Sequence, residues 1–149
     1  MTAKPPTVFL GEMTDPEVRA ALQRTQTIII PTGSTEQHGP HGPLLTDAII
    51  PTEVARRVAE RTGALVGPTI NYSLSYPHVG FTGVVHIRVA TFMALIEDLC
   101  ASYASIGFTR IVFLNGHYDN TYAIAYACAS AAERMPAAVH AYPVNYWDG

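Results

Sequence analysis

Charge is scarce in this chain: Asp, Glu, Lys and Arg make up 14% of its 149 residues, against roughly 25% in an average soluble domain. Nine Lys and Arg scattered singly, with a net charge of -3, form no basic stripe that would condense on a phosphate backbone, so no nucleic-acid partner is expected. So little charge also predicts that another subunit covers part of the surface, and hence a homo-oligomer. Cysteine is nearly missing. Cys100 and Cys128 fall at apolar positions of predicted helices, with no CxxC pair and no secretory leader, as expected of buried free thiols in a cytoplasmic protein. No uninterrupted run of 18 apolar residues occurs, and the stretch Thr27-Ile28-Ile29-Ile30 is closed by Pro31, so no membrane span is expected. Gly33-Ser34-Thr35-Glu36-Gln37 lacks the glycine after the serine that a nucleophile elbow needs, and there is no dinucleotide-binding glycine fingerprint.

What is present is a chain that is 48% apolar, enough to bury a core as one domain spanning residues 1-149. Asp15 as side-chain cap, with Pro16 at the first helical position, opens a helix that ends near Arg24-Thr25. Thr27 to Ile30 is β-branched and apolar without alternation, the pattern of a central strand covered on both faces. After a Gly- and Pro-rich loop, Ile50, Val54, Ala55, Val58 and Ala59 recur at helical spacing before Gly63. Ala64 to Val66 follows as a strand. Residues 71-83 have no periodicity and form a candidate active-site loop, and Val84 to Val89 is expected to be a short strand. Phe92, Leu95, Ile96, Leu99, Cys100 and Tyr103 mark one stripe of a helix ending at Gly107. Strand, loop and helix then repeat as Arg110 to Leu114, Asn115 to Asn120, and Ile124 to Ala131, with a last strand from Val139 to Val144. This alternation predicts an α/β fold: a mostly parallel central sheet with helices on both faces.

In such sheets ligands bind beyond the carboxyl ends of the strands, and two loops in that position carry paired imidazole and carboxylate groups. One holds Glu36 and His38 and reaches Asp47; the other holds His117 and Asp119. In extended backbone, residues i and i+2 point to the same side, so each pair can converge on one cavity. Nitrogen and carboxylate donors without thiolate suit Zn, Mn or a similar divalent ion. Five ligands exceed what one tetrahedral site with an open position needs, which favours two ions sharing a carboxylate and a hydrolytic chemistry. Asp47 has an alternative role, since Thr46-Asp47 could cap the following helix. His86 and His140 lie on strand-like segments and are expected to be satisfied core or surface histidines; His41 is expected outside the ligand set.

The run Gly33-Ser34-Thr35-Glu36-Gln37-His38-Gly39-Pro40-His41 with Pro43-Leu44 and Thr46-Asp47, together with Asn115-Gly116-His117-Tyr118-Asp119-Asn120, resembles the two signatures of the creatininase (creatinine amidohydrolase) family. The resemblance extends from about Thr27 to Trp147. It implies a three-layer creatininase-like α/β fold and a metal-dependent amidohydrolase that opens a cyclic amide or similar C-N bond of a small molecule. It also implies a hexamer. Glu36 and His117 would hold one divalent ion, Zn or Mn, and His38 and Asp119 a second, with Asp47 bridging; Glu36, Asp119 and His78 would take catalytic roles. Tyr118 and Trp147 would stack on a flat substrate, and the loop with Ser75 and His78 would close over it.

Three departures stand beside the likeness. Asp119 is one methylene shorter than the glutamate of creatininase. Gly42 and Leu45 replace the usual leucine and glycine. Family members also carry a further segment, with a tryptophan, a histidine and a glutamate near the site, that the sequence to Gly149 does not include. A split member that completes its site with a complementary chain is therefore the alternative expectation, as are family hydrolases acting on a formamide, a peptide or a cyclic ketone.

Overall fold

The computed structural model describes residues 7-148, so the ends of the expected 1-149 unit lie outside the described residues. Four parallel strands, β1 (Thr27–Thr32), β2 (Leu65–Val66), β3 (Arg110–Asn115) and β4 (His140–Asn145), are arranged in the order β2-β1-β3-β4. Ile28 pairs with Leu65 on one side and Ile111 on the other, and Phe113 pairs with Pro143. The helices are α1 (Asp15–Leu22), α2 (Thr46–Thr62), α3 (Val89–Ile106) and α4 (Thr121–Ala132).

The unalternating apolar run of β1 is explained by two cores. Successive strand residues point to opposite faces: Ile28 and Ile30 pack with Phe92, Ile96, Ile124 and Ala127 of α3 and α4, whereas Ile29 packs with Ala55 and Ala59 of α2. β3 divides likewise, with Ile111 and Phe113 on the α3/α4 side and Leu114 on the α2 side. The connection after β1 leaves through α2 on one face and the connection after β3 through α4 on the other. The crevice where neighbouring strands send their chains to opposite faces is the topological switch point of an open parallel sheet. Both His-carboxylate loops open at it.

Three boundaries differ from the sequence reading. Helix α1 is capped by Thr14, not Asp15: the Glu17 carboxylate accepts the Thr14 backbone N–H and its hydroxyl, both at 2.7 Å. Helix α2 begins at Thr46, a turn before the apolar periodicity, and accommodates Pro51 within it. The expected strand at 84-89 is absent. Val85 and His86 instead make single bridges to Thr35 and Ser73, fastening one loop to another, and α3 already starts at Val89. By length and composition α3 would qualify to cross a membrane, with 18 residues and mean hydropathy 1.4. Its apolar residues Phe92, Ile96 and Cys100 are buried in the α3/α4 core, and Glu97 on it pairs with Arg134.

Candidate metal centre

Two glycines bring the first turn of α2 into the crevice. A Cβ on Gly33 after β1, or on Gly116 after β3, would collide with the Asp47 carbonyl oxygen, so only glycine lets both strand ends approach the helix so closely. Pro51 packs on Gly116. Lacking an N–H, it leaves that same carbonyl without its usual helical donor. The N-cap of α2 is Leu45, which excludes the capping role considered for Asp47. Asp47 instead lies inside the first turn, where the helix dipole favours an anion, and its carboxylate turns into the crevice.

There Asp47 stands between two imidazoles. Its Oδ1 is 3.0 Å from His38 Nε2 and its Oδ2 is 2.8 Å from His117 Nδ1, with the Ser34 hydroxyl donating to Oδ2 at 3.0 Å. Glu36 Oε1 is 3.4 Å from His117 Nδ1. One donor atom each from Glu36, Asp47 and His117 lies within 4.8 Å of the others. Glu36 and His117 are buried, at 6% and 4% exposure. The other nitrogen of His117, Nε2, contacts the Leu74 carbonyl oxygen, an arrangement that leaves Nδ1 facing the carboxylates.

The electrostatics follow from this crowding. Burial raises the Glu36 carboxyl above its ordinary value, opposed by the His117 charge and reinforced by that of Asp47. Burial would raise Asp47 too, but the hydrogen bond and charge of His117 and the Ser34 hydroxyl outweigh it and hold Asp47 low. For His117, burial disfavours the cation, yet the Asp47 hydrogen bond and the charges of both carboxylates raise it above the usual imidazole value. Protonation of His117 is thus favoured by the two carboxylates it faces.

A divalent cation fits this donor set. The triad offers nitrogen and oxygen donors and no thiolate. Glu36 Oε2 and Ser75 Oγ are the buried side-chain oxygens without a hydrogen-bond partner among the described residues, and an ion would satisfy the first.

The remaining expected site residues lie at graded distances from the triad. His38 joins it through Asp47. Asp119 is one-third exposed and approaches the far nitrogen of His117, with Oδ2 3.9 Å from Nε2. His78 Nε2 is 3.7 Å from Glu36 Oε2. Tyr118 is 71% exposed, and Trp147 is 40% exposed and packs edge-on against Tyr146. Both follow strand ends at the crevice side of the sheet.

Several supporting groups carry no sequence signal of their own. Asn120 is fully buried; it donates to Gly33 O at 3.0 Å and accepts the Leu74 N–H at 3.3 Å, tying the three loops together. Ser73 donates to the same Gly33 carbonyl at 2.6 Å. Asn115 accepts the His117 N–H at 3.1 Å and donates to Asn145 at 2.9 Å. His86 accepts the Ser75 N–H at 3.1 Å, which makes it a loop anchor, while His41 and His140 are exposed.

A parallel α/β fold with two carboxylates and a histidine gathered at its switch point defines the class: an α/β protein with a candidate cation site in a strand-end crevice. Comparison with known proteins narrows the class. The family model for creatininase (creatinine amidohydrolase) matches residues 11–148, and the chain belongs to that family. Creatinine amidohydrolase of Pseudomonas putida is 33% identical over 151 residues, covering 95% of this chain and 58% of that protein. The mycofactocin precursor peptide peptidase of Mycolicibacterium smegmatis is 44% identical over 108 residues, covering 68% of this chain and 43% of its own length. A solved mutant creatininase of the Zn-Zn type superposes with a TM-score of 0.90 at 32% identity, covering 96% of this chain and 59% of that one. The chain therefore spans between two-fifths and three-fifths of the length of these relatives.

Proposed function

We propose that this chain is a metal-dependent hydrolase that opens a C–N bond, a cyclic amide or a related small-molecule substrate being the first choice. The observation that carries the reading is the convergence of buried Glu36, half-buried Asp47 and buried His117, with a Glu36 oxygen that has no hydrogen-bond partner among the described residues. In this reading Glu36, Asp47 and His117 hold one divalent ion, and His38, Asp47 and Asp119 hold a second, with zinc or manganese as the native metal. Bound there, the ions supply a water activated near neutral pH and polarise a carbonyl oxygen.

The chain's own groups do the rest. Asp47, facing His38 on one oxygen and His117 on the other, is suited to bridge. The Leu74 carbonyl accepts from His117 Nε2 and so leaves Nδ1 turned to Asp47 and Glu36, where it would serve as the ligand. Ser75 Oγ, buried and unpartnered, is available to a polar group of the substrate, and Tyr118 and Trp147 offer flat faces for a ring. Glu36, Asp119 and His78 are the groups placed to hold or move a proton. The named activities of the relatives, an amidohydrolase and a peptidase, leave the choice between a lactam, a formamide, a peptide and a cyclic ketone to assay. Metal-loaded protein is expected to hydrolyse at least one member of such a panel and to lose the activity on chelation. No turnover of any member by the loaded protein would refute the proposal.

The same reading takes residues 1-149 as one domain of a homo-oligomeric, hexameric cytoplasmic enzyme, supported by the single sheet and by two buried free cysteines. A second reading has a specific observation in its favour. Ala141 of β4 packs on the α3/α4 side, so Tyr142 and Val144 point to the opposite face, where they are 42% and 40% exposed. An apolar sheet face left open in this way suits a complementary chain that completes the layer. Turnover by the isolated chain as a homo-oligomer would sink this reading; activity gained only with an added partner would support it.

A further inference from the structure

We infer that Gln37 is a positioning residue that locks His78 in the tautomer with its proton on Nε2, so that His78 serves the site as a proton donor and not as its general base. The Gly39 backbone N–H, which can only donate, binds Gln37 Oε1 at 3.0 Å. That fixes which end of the amide is oxygen and turns the amide nitrogen towards His78. Gln37 Nε2 lies 3.0 Å from His78 Nδ1. An amide nitrogen donates and does not accept, so Nδ1 must present its lone pair, and the single proton of the neutral ring resides on Nε2.

The geometry on either side of this contact holds it in place. Gly39 has φ +66°, a left-handed conformation natural to glycine, and its N–H points back onto the Gln37 side chain. His78 ends a short turn whose backbone N–H donates to Ser75 O at 3.1 Å, and Ser75 is itself anchored through its N–H on His86. On the far side of the ring, Nε2 faces Glu36 Oε2 at 3.7 Å, the buried oxygen without a hydrogen-bond partner. Gln37 therefore links the Gly39 backbone to His78, and His78 in turn faces Glu36. Its contact with the chemistry runs through the His78 ring. The use made of the proton rests on the hydrolase reading; the tautomer does not.

The test reads the tautomer directly. Protein labelled with nitrogen-15 in histidine is observed by long-range proton–nitrogen correlation, both metal-free and zinc-loaded. The pH is about 8, above the ordinary imidazole value of about 6.5, and His78→Asn identifies the resonances. The wild type is expected to give an unprotonated Nδ1 and a protonated Nε2. In Gln37→Leu the lock is lost and the two nitrogens shift towards averaged positions. In Gln37→Glu, whose carboxylate can only accept, a proton moves onto Nδ1. A wild-type spectrum with Nδ1 protonated, or both folded variants retaining the wild-type pattern, would overturn the inference. Absence of hydrolysis with the tautomer pattern intact would remove the hydrolase reading and leave the lock standing.

Discussion

Gly116 and Asp47 are in such close backbone contact that no Cβ fits between the glycine and the aspartate carbonyl oxygen. The consequence is that the start of α2 and the end of β3 form one unit, and the position of the Asp47 carboxylate is inherited from that packing. Gly116→Ala is therefore expected to destabilise the fold by about 1–3 kcal/mol, the usual cost of forcing a methyl into a packed site. It is also expected to reduce metal affinity. Gly11→Ala, where nothing lies within 4 Å of the added methyl, is the control expected to leave both unchanged. Urea unfolding and elemental analysis of the two variants check this.

The two histidines that flank Asp47 differ in what they hold. His117 is buried and faces the carboxylates of Glu36 and Asp47, whereas His38 is part-exposed and meets the Asp47 carboxylate with one ring nitrogen and the Glu36 backbone carbonyl with the other. His117→Ala is expected to abolish tight metal binding altogether. His38→Ala is expected to leave the triad's ion in place and to lower the metal content by one ion per chain. Equal losses in the two variants would contradict this division.

The pH dependence of the metal-free protein follows from three groups. His117 and Glu36 are raised in the folded state. Each contributes stability that is fully present below its unfolded value and lost as pH rises through its folded one. Asp47 is lowered, so its contribution is present above its unfolded value and lost as pH falls through its folded one. In chelator the melting temperature is thus expected to decline as pH rises above the ordinary carboxyl value of 4.5, through Glu36, to decline further past the ordinary imidazole value of 6.5, through His117, and to fall in strong acid below the ordinary 3.8 of Asp47. His117→Gln removes its share of the alkaline loss. Zinc reverses the loss, because its ligands must be deprotonated. A melting temperature that is flat with pH in the metal-free wild type would be inconsistent with a His117 proton favoured by the carboxylates.

Asp119 lies at the margin of the donor set. Its carboxylate is 3.9 Å from His117 Nε2 and one-third exposed, short of the other donors. Asp119→Glu, one methylene longer, is expected to tighten the second ion, and Asp119→Asn to weaken that ion alone. Zinc titration by calorimetry resolves the two steps.

Much of this was legible in the sequence because the fold repeats a simple unit. The unalternating run at 27-30 and the glycines at 63 and 107 mark a covered strand and two helix ends, and the two loops with His-carboxylate pairs identify the crevice. The start of α2 was not legible: Pro51 masks the helix, and the Thr46-Asp47 pair resembles a cap until the close approach of Gly33 and Gly116 is visible. Residues 84-89 have strand composition, yet their partners are single residues of other loops, contacts that no local pattern encodes. Gln37, Ser34, Asn120 and His86 were equally hidden, since each acts through a hydrogen bond fixed by tertiary packing.

If Glu36, Asp47 and His117 together hold a divalent ion, a crystal grown with zinc and measured at the metal's absorption edge will show an anomalous peak about 2.0–2.2 Å from His117 Nδ1 and from an oxygen of each carboxylate. A fully occupied zinc elsewhere, with His117 Nδ1 still hydrogen-bonded to Asp47, would contradict that assignment.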